Sequence, residues 1–244
     1  MLRGFVLFVV LLISSFPVSA QLSFCKGVGG PPIFNENFGQ GMANGPALVS
    51  GTTNYTYTAN NPQDGFYTIT NNMQRVIPAS HNTGDHTGNT DGKALVINAD
   101  FTPGIFYQTP VTGLCENTTY EFSAWLLNIY DPASNACPSP IPINVRFEIW
   151  DATNTRLLSS GGTGDIRETA TPQWQKAGLS FTTEVGQGTV ILKMINNGMG
   201  GCGNDLAIDD IQFRTCGDDT AVMTSDGNTS AIFCTSEMVR KARY

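Results

Sequence analysis

The sequence predicts an all-β protein: a two-sheet antiparallel β-sandwich of jelly-roll type, preceded by a cleaved signal peptide. Three observations predict it. First, the 244 residues include 26 Gly, 13 Pro, 27 Thr and 20 Asn. Turn-formers and β-formers thus stand where a helical protein would carry Ala, Glu, Lys and Leu. Second, charged residues are only 14% and aromatics 10%, which gives a core and excludes a disordered acidic tail. Third, short apolar or alternating segments recur along the chain, each bounded by Gly, Pro, Asn or Asp, the pattern of many short strands.

Taken in order, Met1 to Ala20 begins with Arg3, continues with the apolar run Phe5 to Ile13 and ends in Val18-Ser19-Ala20. A charged start, a short apolar centre and a small-residue end make a secretory signal peptide. The apolar run is too short to span a bilayer, and no later segment approaches 18 apolar residues. Residues 21–34 form a Gly/Pro-rich lead-in, and 35–216 the sandwich. Its expected strands are Tyr55–Thr58, Phe66–Thr70, Gln74–Ile77, Ala94–Asn98, Ile105–Thr109, Tyr120–Ile129, Ile143–Trp150, Arg156–Ser159, Gln175–Thr182, Thr189–Ile195 and Leu206–Arg214. Val145, Phe147 and Ile149 alternate with Arg146 and Glu148, the period of a half-buried strand. No sustained 3.6-residue pattern with caps occurs. So many short strands pack as two sheets. Residues 217–244 are too few to bury a core of their own. They read as a tail or as the opening of a following domain.

Composition also excludes functions. The net charge is −7, and basic residues cluster only in Val239 to Tyr244, so a nucleic-acid partner is not expected. Two His leave little material for a His-based metal centre or a His-dependent triad. No Gly-x-Ser-x-Gly elbow, His-Glu-x-x-His, P-loop or dinucleotide fingerprint is present. An enzyme is therefore not expected. Export makes disulfides the default for Cys25, Cys115, Cys137, Cys202, Cys216 and Cys234. Six cysteines allow 15 connectivities, among which the sequence does not choose.

The stretch most informative about chemistry is Gly200 to Phe213. In a regular strand Ala207, Asp209, Ile211 and Phe213 share one face, and Leu206, Ile208 and Asp210 the other. Both carboxylates then sit among groups that should be packed, where an ionised acid is costly unless paired, hydrogen-bonded or bound to a cation. Two readings follow: acceptors for backbone N–H groups at a strand end, or ligands of Ca²⁺, which takes six to eight oxygens. A second acidic loop, His81 to Gly92, carries Asp85 and Asp91 but departs from the EF-hand pattern, with Gly88 in place of an acid and no Glu at the end.

These residues match a known pattern. Asp85-His86-Thr87, Gly92, the strand Ala94–Asn98, Trp174, Asp205 to Ile211 and Cys216 together resemble the extracellular MAM domain. They also resemble jelly-roll carbohydrate-binding modules with a galactose-binding-like fold. Asn37-Phe38-Gly39-Gln40-Gly41, Asp64-Gly65-Phe66-Tyr67, Leu114 to Trp125 and Gly203 to Ile211 extend the likeness to the N-terminal module of large secreted bacterial surface proteins that carry Ig-like repeats. The resemblance implies one structural Ca²⁺ held by Asp85, Asp91 and Asp209 or Asp210. Related modules place Glu where Gly39 stands here, so Asn37 or a carbonyl would substitute. The ends of a jelly roll run side by side, and the expected bridges are Cys25–Cys216 and Cys137–Cys202.

The expected ligand face comes from parity and aromatics. Arg146, Glu148 and Trp150 share the strand face opposite Val145, Phe147 and Ile149. Trp125 and Tyr107 join them as candidates, since sugars stack their C–H faces on aromatic rings with polar groups around. Trp174, at a strand start after Pro172, is expected to plug the core. The function expected is a non-catalytic glycan-binding module, secreted or on the cell surface, within a larger multidomain protein. The alternative is an adhesive or structural module with a protein partner.

Overall fold

The computed structural model describes residues 22–26 and 29–217. The segment expected to be a signal peptide, residues 218–244 of the tail and Cys234 lie outside the described residues. In chain order the elements are β1 (Gly29–Glu36), β2 (Thr56–Tyr57), β3 (Phe66–Thr70), α1 (Met73–Val76), β4 (Ala94–Asn98), β5 (Ile105–Thr112) and β6 (Thr119–Asn128). A 3-10 turn (Pro132–Ser134), β7 (Val145–Asp151), β8 (Leu157–Gly162), β9 (Gln175–Thr182), β10 (Thr189–Asn196) and β11 (Leu206–Cys216) follow. The larger sheet has the order β2-β3-β4-β11-β6-β9, with β1 also on β11, and the smaller sheet the order β5-β10-β7-β8. The protein is an all-β sandwich. All its pairings are antiparallel except the two-residue contact of β2 with β3.

Two segments differ from the sequence reading. The expected strand Gln74–Ile77 is the one-turn helix α1, because Asn72 caps it by accepting the Arg75 N–H at 2.9 Å. Its spacing puts Met73 and Val76 on one side, both buried, as side chains three apart on a helix must be. Residues 29–34 of the Gly/Pro-rich lead-in belong to β1, which lies along β11. Pro31 and Pro32 are tolerated because the pairing there is irregular, with register shifts on both sides of Pro32. A proline needs such a bulge, since it has no N–H for the ladder.

The core lies between the sheets. Leu95, Ile97, Phe122, Leu126, Leu206, Ile208, Ile211 and Phe213 come from the larger sheet, and Val145, Phe147, Ile149, Val190, Leu192 and Met194 from the smaller. The rings of Phe122 and Phe147 meet edge to face at 5.1 Å and join the two layers.

The expected parity of β11 holds only as far as Asp209. Asp209 pairs with Trp125 and Gln212 with Ser123, so Asp210 and Ile211 stand opposite the single residue Ala124. Asp210 is the extra residue of a β-bulge and has φ 45°, a left-handed conformation that Asp accepts better than most residues. The bulge resets the alternation. Leu206, Ile208, Ile211 and Phe213 all point inward, instead of splitting between two faces, and the carboxylates are carried outward.

A second, smaller apolar layer covers the outer face of the larger sheet. Met73, Val76, Ala94, Val96, Leu127, Ile129 and Ala207 form it, with Ile77 and Trp174 against it. Trp174 therefore packs under the covering segment and not in the inter-sheet core.

The two ends of the sandwich are clasped together. Disulfides join Cys25 to Cys216 and Cys137 to Cys202, with Cα–Cα distances of 5.3 and 5.7 Å. Beside the first, Glu121 is 1% exposed and accepts from the Cys25 N–H at 2.9 Å, Lys176 Nζ at 2.9 Å and Arg214 at 3.0 Å. Burial by itself would raise its carboxyl, but the Cys25 N–H, Lys176 and Arg214 overcome it and hold the pKa below the ordinary 4.5. A depressed carboxyl stabilises the fold above its unfolded pKa, and that stability is lost as pH falls through the folded value. Glu121→Gln is therefore expected to lower the melting temperature at pH 7 and to flatten its decline below about pH 4.5. Parallel acid limbs for variant and wild type would refute the clasp.

Candidate functional site

Two places gather the side chains singled out in the sequence, one on the outer face of each sheet. On the larger sheet, the loop that leads into β4 lies across the bulge of β11. The His86 N–H donates to Asp209 Oδ2 at 2.9 Å, and the Asp210 N–H to Asp209 Oδ1 at 2.8 Å. His86 Nδ1 meets Asp210 Oδ2 at 2.8 Å. The His86 ring stacks on Trp125 at 3.7 Å and meets Trp174 edge-on at 6.0 Å. Asp85, on the same loop, accepts from Thr87 and is 8% exposed. The bulge thus brings Asp209 and Asp210 to one histidine, where a regular strand would have turned them to opposite faces.

This arrangement braces the loop. Burial pushes the Asp209 carboxyl up to about 7 against the pull of its two N–H donors, and the charges of Asp210 and Asp85 add to it. One ring face of His86 is covered by Trp125, its Nδ1 is committed to Asp210, and Thr87 turns its hydroxyl to Asp85.

The residues expected to hold Ca²⁺ are placed as follows. Both Asp209 oxygens, one of Asp210 and one of Asp85 accept from protein donors. Asp85 Oδ1 is buried without a partner. Asn37 is exposed and accepts from the Gly39 N–H, and Asp91 contributes its carbonyl to the Gly41 N–H. Among the described residues no group of three or more acidic, His or Cys side chains is placed to hold a metal.

On the smaller sheet the outward residues form rows across the strands. Pro110, Ile191, Trp150 and Leu157 are successive neighbours in one row, and Gln108, Lys193, Glu148 and Ser160 in the next. Arg146 and Ile195 begin a third. Cross-strand neighbours share a face, and their side chains touch. Trp150 Nε1 donates to Glu148 at 2.6 Å, Arg146 pairs with Glu148 at 2.7 Å, and Lys193 Nζ lies 4.4 Å from the Trp150 ring centroid. Lys193 also donates to Asn154 in the β7–β8 turn. Burial lowers the Lys193 pKa, and Glu148 opposes the shift. The indole is half-buried and fixed on both its edge and one face.

Of the five expected ligand residues, Trp150, Arg146 and Glu148 are together on this face. Trp125 is not, because it sits beneath His86 on the other sheet. Tyr107 is 4% exposed and turns inward between Phe34 and Phe38, yet it lines a groove of about 490 Å³ at the β5 edge, where Gln108, Asn154 and Ile191 also lie. Tyr130 is structural, since its hydroxyl accepts from the Cys137 N–H at 2.9 Å. Sequence reasoning missed Lys193, although its alternation with Val190, Leu192 and Met194 marks it as outward. It missed Gln108 and Asn154 because only strand pairing brings them beside Trp150.

No family model matches the sequence, and no curated protein does. Among solved structures, the chain is similar to a Stig cyclase from Fischerella sp. TAU, with 11% identity, TM-score 0.45 and coverage of 62% of this chain and 74% of that one. It is also similar to the CBM22-1 xylan-binding domain of Paenibacillus barcinonensis Xyn10C, with 11% identity, TM-score 0.39 and coverage of 80% and 100%. A CBM4 structure is a third, at 13% identity, TM-score 0.33 and coverage of 50% and 70%. Likeness at this level assigns neither ligand nor chemistry.

Two outcomes test the brace. An added Cβ at Gly92 would lie 2.1 Å from Asp85 Oδ2, so Gly92→Ala should cost about 1–3 kcal/mol of stability in chemical denaturation, the usual cost of overpacking. Exchanging Ca²⁺ for EDTA tests the expected ion: a lowered melting temperature supports it, and an unchanged one removes it. A rise of several degrees with Ca²⁺ would mean that an ion bound by the native state rearranges His86.

Proposed function

We propose that this chain is an extracellular, non-catalytic glycan-binding module of a larger secreted or cell-surface protein, and that the smaller sheet's outer face is its binding surface. The supporting observation is the pair of rows on that face. An apolar row with Trp150 at its centre runs beside a polar row of Gln108, Lys193, Glu148 and Ser160. A pyranose presents an apolar C–H face and a rim of hydroxyls. The first stacks on an aromatic ring, and the second needs donors and acceptors at fixed places. Arg146 is paired with Glu148, and Lys193 lies over Trp150 and donates to Asn154, before any ligand arrives, so little side-chain entropy is left to lose on binding. The signal peptide in the sequence and the two disulfides support an exported location.

A glycan array followed by calorimetry tests the reading. Saturable binding to at least one oligosaccharide class is expected, with Trp150→Ala weakening it about tenfold or more and leaving far-UV circular dichroism unchanged. Self-association of the purified domain with no glycan bound would replace this reading with the adhesive one.

A further inference from the structure

The groove at the β5 edge is walled on one side by residues 48–52, and that wall is held in place. The Gln108 N–H donates to the Thr52 carbonyl at 2.6 Å, and Gln108 Nε2 to the Gly51 carbonyl at 2.7 Å. The Leu48 N–H donates to Tyr67 Oη at 2.9 Å. Val49 stands on the rim, 81% exposed. Asn154, which accepts from the lysine that covers Trp150, lines the groove as well. The groove therefore continues from the face already described, and its volume of about 490 Å³ lies within the range of small-molecule sites.

Two polar groups within the groove are unusual. The ring of Tyr107 is buried between Phe34 and Phe38, yet its hydroxyl has no hydrogen-bond partner among the described residues. The hydroxyl opens onto the groove, where water or a ligand can meet it. Glu36 lies close by, near enough that its charge adds to the burial that raises the tyrosine pKa. Glu36 gives one oxygen, Oε1, to the Phe38 N–H at 2.8 Å and makes no bond to the tyrosine. It is the one charged side chain among those that line the groove. A donor and a charged acceptor thus face the same space without engaging each other. A sugar hydroxyl both donates and accepts, so adjacent hydroxyls on one ring satisfy both groups together. The same carboxylate repels a ligand that carries its own.

We infer that this groove is a subsite for an uncharged sugar residue, whose neighbouring hydroxyls bridge the Glu36 carboxylate and the Tyr107 hydroxyl, and that it selects neutral over acidic glycans. The inference rests on the glycan-binding reading and extends it from the Trp150 face to a defined pocket.

Calorimetric titration with cello-, xylo- and galacto-oligosaccharides, and with oligogalacturonate, tests it in the wild type and three variants. Tyr107→Phe keeps the packed ring, and Glu36→Gln keeps an oxygen for the Phe38 N–H. Each should weaken binding of the neutral ligand about three- to tenfold, the effect of one lost hydrogen bond. Tyr107→Phe should leave the melting temperature unchanged or raised, since the hydroxyl has no protein partner to lose. Glu36→Gln should also narrow the preference for neutral over acidic ligand. If Trp150→Ala abolishes binding while Tyr107→Phe and Glu36→Gln bind as the wild type does, the subsite is wrong and the glycan-binding reading stands. Tighter binding of oligogalacturonate than of any neutral ligand overturns the proposed selectivity. No binding of any oligosaccharide to the wild type overturns both readings.

Discussion

The central strand of the larger sheet has to carry two adjacent aspartates through an apolar layer, and the bulge at Asp210 is how it does so. Without the extra residue, Ile211 and Phe213 would face away from the core that Leu206 and Ile208 enter. With it, all four point inward, and the acids emerge on the outer face. There Asp209 takes two backbone N–H groups and Asp210 the imidazole of His86. An acid in such a place is tolerable only because it is fully engaged.

The rest of the architecture follows from that strand. β11 lies between β4 and β6 along its first half and between β1 and β6 along its second. The covering segment docks on the bulge through His86 and closes a second apolar layer over α1. The last residue of β11, Cys216, is bonded to Cys25, and Glu121 ties the same corner to β9 through Lys176. One outer face of the sandwich is thus occupied by its own chain. The other, on the four-stranded sheet, carries the aromatic and charged side chains that have no part in the core. This division of labour between the faces supports the proposal of a binding surface on the smaller sheet.

Much of the site was legible from alternation alone. Arg146, Glu148 and Trp150 had to lie opposite Val145, Phe147 and Ile149, and they do. Lys193 was marked as outward by the same rule. Alternation failed where the backbone breaks its period. A single left-handed residue changed the face of everything after Asp210, and Asn72 converted an expected four-residue strand into a helical turn. Tyr107 shows another limit: the sequence offered it for the ligand face, and the structure turns it inward at an open groove.

By itself, the sequence determined the fold class, the positions of most strands and the outward row on β7, because each depends on local propensity or a period of two. Only the tertiary structure decided which strands pair, and so which side chains become neighbours. It set Lys193 over Trp150, His86 between Trp125 and two aspartates, and Glu36 beside Tyr107. Those contacts join residues tens to more than a hundred positions apart. Their energy comes from burial and charge at short range, which linear order does not encode.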